Sequence, residues 1–217
     1  MKRKLRKMKF KVFVAILLSG LLSNIAFAAI DEGIEYKLVS PAQSTITKNK
    51  IEVVELFWYG CPHCFHFEPE LNKWLATKPE NVVFYRVPAI FNASWALHAR
   101  AFYTAKSLGL FDQGKTEFHE AFFDAIHKSK KRLDKKESIQ AFFARFKISA
   151  EDFNNTFDSF AVNTKVNRAA ALSKRYQLQG VPTIIVNGKY RTDGPMAGGR
   201  KGMIKVLNFL IKKETKR

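Results

Sequence analysis

The chain has 217 residues, 47% hydrophobic and 13% aromatic, enough to bury the core of one domain or of one domain with an insertion. Its 20 Phe exclude a disordered or linker-like protein, and neither a repeat period nor a low-complexity tract stands out. The formal net charge of +18 would suggest a nucleic-acid partner, but part of it sits in a segment with another explanation.

That segment is the N-terminus. MKRKLRKMKFK carries seven Lys/Arg and no acid, and VFVAILLSGLL and the small-residue stretch SNIAFA follow it. Ala26 and Ala28 fit the cleavage positions of a signal peptide spanning residues 1–28. An uncleaved anchor is the alternative, but Ser19, Gly20, Ser23 and Asn24 make a poor span. Removing 28 of the 217 residues, and seven of the +18 charges with them, leaves 189 residues at +11. An exported chain of this kind is expected in an oxidising compartment, where a thiol pair is free to form a disulfide. The basic run KSKKRLDKK, residues 128–136, then reads as a solvated helix-loop face or as attraction to an anionic membrane surface. No nucleic-acid partner is expected.

After a polar stretch, IEVVELFWY (Ile51 to Tyr59) is β-rich and apolar and ends at Gly60, the pattern of a buried strand. Pro62 suits the first turn of a helix that continues through Phe67, Leu71, Trp74 and Leu75, with a kink expected at Pro69. NVVFYRV (Asn81 to Val87) supplies a second strand, so the opening is a parallel βαβ unit. From Ser94 to Tyr176 the periodicity is helical throughout, with one helix expected to run from Ser149 toward Tyr176. VPTIIVNGKYR returns to β: Ile184 to Val186, a turn at Asn187–Gly188, and a strand from Lys189. GMIKVLNFLIKK closes the chain as an amphipathic helix with Met203, Val206, Leu207, Leu210 and Ile211 on one side.

The only two cysteines, Cys61 and Cys64, stand in GCPHCFHFE. Zinc needs about four ligands, and two Cys with His63 and His66 within six residues close a tetrahedron poorly. Covalent haem requires His after the second Cys, where Phe65 stands. A staple closing four residues removes little unfolded-state entropy. Redox chemistry remains. Cys61 follows a strand and opens a helix, where unsatisfied N–H groups and the helix dipole favour a thiolate. It is therefore expected to be the exposed, low-pKa nucleophile, with Cys64 one turn on as the buried resolving thiol. His63, between them, adds an imidazole beside the first sulfur. His66 and the three Trp are assigned no chemistry; Trp58, Trp74 and Trp95 read as core or groove lining.

CPHC directly after the first core strand, a helical stretch of roughly eighty residues, and GVPT at Gly180 to Thr183 followed by VNGKY together resemble the DsbA-like family of exported thiol:disulfide oxidoreductases within the thioredoxin-fold superfamily. The resemblance covers essentially the whole mature chain. It implies an α/β protein: a thioredoxin fold, residues 29–93 and 177–217, with an inserted all-helical domain, residues 94–176. It implies that Cys61 and Cys64, with Pro62 and His63 between them, form the redox centre, with no cofactor and no metal. It implies further that Pro182 is a cis-proline facing the pair and that Val181 offers its backbone to a substrate strand. Glu55 matches the family's buried acid and is a candidate for proton relay to Cys64. Glu68 falls at another acidic position of the family but is placed on the helix surface. The family's lysine near Glu55 is missing from FYRV, where Arg86 is the one candidate substitute.

The implied activity is disulfide donation to reduced exported proteins through a mixed disulfide, with reoxidation by a DsbB-type membrane partner as the only membrane contact. A Cys61 pKa near 4 would stabilise the reduced form by about 4 kcal/mol at pH 7, or roughly 90 mV. Two alternatives stay open: an exported reductase or isomerase, and a peptide-binding chaperone on the same fold.

Overall fold

The computed structural model describes residues 29–114 and 116–216; the signal peptide assigned to residues 1–28 lies outside the described residues. Five strands build one sheet in the order β1-β5-β4-β2-β3: β1 Lys37–Leu38, β2 Ile51–Phe57, β3 Val82–Pro88, β4 Thr183–Val186 and β5 Tyr190–Asp193. The helices are α1 Pro62–Thr77, α2 Ala93–Ser107, α3 Glu117–His127, α4 Lys136–Ala144, α5 Ala150–Phe157, α6 Phe160–Arg175 and α7 Arg200–Thr215. Only β2 and β3 run parallel, joined by α1 as the βαβ reading requires. β4 lies antiparallel to β2 on its other side, and β5 and the short β1, which the sequence did not announce, extend the sheet antiparallel beyond it.

All seven residues of β2 are buried because it is central and covered on both faces. Val53 points to the layer of Phe67, Leu71 and Trp74 of α1 and Met203, Leu207 and Leu210 of α7. Val54 and Leu56 point the other way, toward Ile185, Ala89 and Leu178. The hairpin turns on Asn187 and Gly188, both with positive φ (49° and 63°), which is why that pair stands there. Pro69 sits inside α1, which spans its full length around it and forgoes the hydrogen bond Pro69 cannot donate.

Among the described residues five α-helices, α2 to α6, and a short 3-10 helix at Asp112–Gly114 lie between β3 and β4. Their core is a Phe cluster (Phe102, Phe118, Phe122, Phe142, Phe143, Phe153) that extends without a gap to Phe57, Tyr59 and both cysteines. The single helix expected after Ser149 is two. Ser149 accepts from the Asp152 amide to open α5, and Ser159 accepts from the Val162 amide to open α6, so the chain carries two N-caps. The break lets Phe153 and Phe157 enter the Phe cluster while Val162 and Val166 pack on Ala99 of α2.

Candidate active site

Between β2 and α1 the chain turns at Trp58–Cys61, closed by the Cys61 amide donating to the Trp58 carbonyl at 3.0 Å. Gly60 is required there: a Cβ would lie 2.3 Å from the Trp58 ring, which stacks on Trp95 at 4.4 Å. Cys61 is the N-cap of α1 with extended backbone (φ −85°, ψ 116°) and Pro62 opens the first turn. Of the orphan amides of that turn, those of His63 and Cys64 favour a thiolate on Cys61.

The two thiols differ sharply. A hydrogen bond from the Cys64 thiol is the largest influence on Cys61; against some opposition from burial, it and the amides of Cys64 and His63 bring the Cys61 pKa down to about 6. The charge of His63 contributes least. Burial, then the Cys61 sulfur, then Glu55, push Cys64 well above the ordinary thiol range. Cys61 is not exposed as the sequence suggested: it is 7% accessible against 0% for Cys64, and it sits in the aromatic cluster against which Val181 packs. The Cys61 thiol points at the Val181 carbonyl at 3.4 Å, and the Val181–Pro182 peptide is cis. Pro62 and His63 are exposed at the helix start, as is His66. His63, Val181 and Pro182 border a groove of about 890 Å³ whose far wall includes Met196 and Met203.

Below the cysteines lies a buried ionic network. Glu55 on β2 is opposite Arg86 on β3 in the parallel register, and Arg86 Nε donates to Glu55 Oε2 at 3.1 Å. Arg86 Nη2 also donates to Glu68 Oε2 at 2.9 Å and reaches Asn72 Oδ1 at 3.4 Å. Glu68 is therefore not on the surface: it is 7% accessible, on the same face of α1 as Cys64 and Leu71 at i+4 spacing from the cysteine. Its other oxygen, Oε1, takes His119 of α3 at 3.2 Å, and His119 Nδ1 lies 2.9 Å from the Tyr59 hydroxyl. Burial opposes the Glu68 charge, but the donors from His119 and Arg86 outweigh it and hold the carboxyl below its usual range. Glu55, with burial dominant and Glu68 beside it, is pushed up to about 8 despite Arg86.

So the structure brings together Cys61, Cys64, Val181, Pro182 and, from beneath, Glu55. Arg86 stands beside Glu55 as a cation. His119 and Tyr59 escaped the sequence reading. His119 interrupts the apolar face that Phe118, Phe122 and Phe123 define, and a polar residue at such a position is the one available signal. Among the described residues no group of three or more His, Cys, Asp and Glu is arranged to hold a metal ion.

Comparison with known proteins settles the kinship. The family model for the DSBA-like thioredoxin domain matches residues 52–209. The thiol:disulfide interchange protein DsbA of Pseudomonas syringae pv. tomato is 42% identical over 205 residues, 94% of each chain. The chain belongs to the DsbA-like thioredoxin family. The crystal structure of Pseudomonas aeruginosa DsbA is 41% identical with a TM-score of 0.80, covering 86% of this chain and 95% of that one. Oxidoreductase DsbA from Xylella fastidiosa is 30% identical with a TM-score of 0.77, over 84% and 96%. The thioredoxin fold with a helical insertion is thus the family's fold, and Glu55, Cys61, Cys64, Val181 and Pro182 all lie inside the matched DsbA-like region.

Proposed function

We propose that this protein is an exported dithiol–disulfide oxidase that passes a Cys61–Cys64 disulfide to folding proteins, with residues 1–28 as its cleaved signal peptide and the periplasm as its compartment. The observation that carries the reading is the opposed proton affinity of the two thiols: Cys61 at about 6, Cys64 well above the thiol range. At pH 7 a Cys61 pKa of about 6 stabilises the reduced pair by at most about 1.4 kcal/mol, or roughly 30 mV, less where solvent screens the sulfur. That is smaller than a pKa near 4 would give, but of the same sign.

In the reaction a substrate thiolate attacks Cys61 Sγ and the Cys61–Cys64 bond breaks. Cys64 leaves as a thiolate and takes a proton from Glu55, which carries one at neutral pH. A second substrate thiolate then attacks the substrate sulfur of the mixed disulfide, and Cys61 leaves as a stabilised thiolate. Two electrons pass from the substrate to the cysteine pair, and a DsbB-type membrane partner removes them. Val181 and Pro182, beside Cys61 at the groove edge, position the substrate backbone. In the same reading, residues 29–93 and 177–217 form the thioredoxin-like unit and 94–176 the inserted one.

Mixing the purified disulfide form with a reduced, unfolded protein tests this. One disulfide per molecule should move to the substrate, and Cys61→Ser should abolish transfer. Net flow of disulfide out of an oxidised substrate would favour a reductase, and full function of Cys61→Ser in assisting folding would favour a chaperone.

A further inference from the structure

His119 is 1% accessible and its ring faces a carboxylate on one side and a phenol on the other. One uncharged tautomer satisfies both: Nε2–H donates to Glu68 and Nδ1 accepts the Tyr59 hydroxyl. Burial and then the Arg86 guanidinium oppose a charged imidazole at this point, outweighing Glu68 and the neighbouring Glu120. Tyr59 is held to α3 a second time, by His127 Nε2 on its carbonyl at 2.8 Å. The helical insertion thus grips the residue two before Cys61 and, through the same imidazole, the acid network under Cys64.

The charges define what that grip does. Facing one another are Glu55 from β2, Arg86 from β3, Glu68 and Cys64 from α1, and His119 from α3. One guanidinium between two buried carboxyls supports one full negative charge, so at neutral pH the two acids hold one proton between them. Which acid holds it depends on donors. Glu68 has one on each oxygen, Arg86 and His119. Glu55 has Arg86 on Oε2 alone, and its buried Oε1 has no partner among the described residues. The ionised state goes to Glu68 and the proton stays on Glu55.

We propose that His119 is a positioning residue that assigns the single proton of this carboxyl pair to Glu55, the acid coupled to Cys64, so that the insertion loads the proton donor of the disulfide exchange. The proposal rests on the reading above, in which Glu55 protonates the Cys64 thiolate as the disulfide opens. In that step the S–S bond breaks, the proton moves from the Glu55 carboxyl to Cys64 Sγ, and the carboxylate is refilled from solvent. Without the His119 donor the proton moves to Glu68, Glu55 ionises against Arg86, and Cys64 has no nearby acid to draw on.

Single-turnover disulfide transfer to one reduced peptide, followed against pH, tests the assignment. In the wild type the rate should fall as pH rises through about 8, where Glu55 loses its proton. In His119→Phe, which fills the same aromatic surroundings without a donor, the fall should move down by about one pH unit or more. His119→Gln, which keeps an N–H for Glu68, should restore most of the wild-type profile. A His119→Phe profile superimposable on the wild type overturns the proposal. The ring-nitrogen NMR shifts of the wild type give a reading that needs no variant: the Nε2–H tautomer at pH 7 supports it, while an imidazolium or the Nδ1–H tautomer overturns it. Glu55→Gln separates the layers. If it abolishes the fall near pH 8 while His119→Phe changes nothing, only the role of His119 fails; if it leaves the fall in place, the proton-donor reading fails and takes this proposal with it.

Discussion

Cys61 and Cys64 are the same residue type one helical turn apart, yet their surroundings send their proton affinities in opposite directions. Cys64 is the principal cause for Cys61, so in the reduced protein thiolate absorbance should titrate with a midpoint near 6 and rise in Cys64→Ala. His63→Ala should move it up by less, since the imidazole charge is the smallest of the named influences. A larger shift in His63→Ala than in Cys64→Ala would reverse that order. Glu55 permits a stability prediction with a definite sign. Its folded pKa of about 8 stands above the ordinary 4.5, so its contribution is complete below 4.5 and is lost as pH rises through 8. Glu55→Gln, which cannot ionise, should therefore gain on the wild type as pH rises, by on the order of 4 kcal/mol at pH 8 and little at pH 4. Denaturant unfolding at the two pH values checks this, and an equal effect at both would contradict it. The order of the two cysteines was legible because helix polarity is local. The Arg86–Glu68–His119 network was not, because nothing near Glu68 in the sequence says that α3 will cover it.

At the scale of elements, the sequence carried whatever a local pattern could carry. The buried strand β2, the Asn187–Gly188 turn and the apolar face of α7 follow from runs, turn chemistry and periodicity, and each stands where those signals put it. The division of α5 from α6 was missed although Ser159 is an N-cap residue, because helical periodicity resumes after two residues and hides the restart. Strand β1 is too short for any alternation to show and exists only by pairing with β5. The loop before β4 is the element that meets Cys61 from outside α1. With Pro182 next to Val181, whose carbonyl meets the Cys61 thiol, the peptide edge beside the cysteine is free of a proline N–H. Pro182→Thr should slow release of substrate and leave mixed disulfides visible on non-reducing gels. Unchanged turnover without trapped complexes would remove this loop from the site.

Across the whole molecule, one aromatic core joins the two parts of the fold. Phe57 and Tyr59 at the end of the central strand pack into the Phe cluster of the insertion, with ring centroids 5.1 Å apart from each other and Tyr59 4.3 Å from Phe122. The cysteine pair lies at that seam, with the groove bordered by His63, Val181 and Pro182 on one side and the buried acids beneath. A dithiol so placed, with its nucleophile stabilised as a thiolate and its partner protonated, should surrender its disulfide readily. Equilibration of the purified protein with glutathione at pH 7 measures this most directly. The account predicts a reduction potential less negative than the about −270 mV of thioredoxin by tens of millivolts; a value equal to or more negative than thioredoxin's would contradict it.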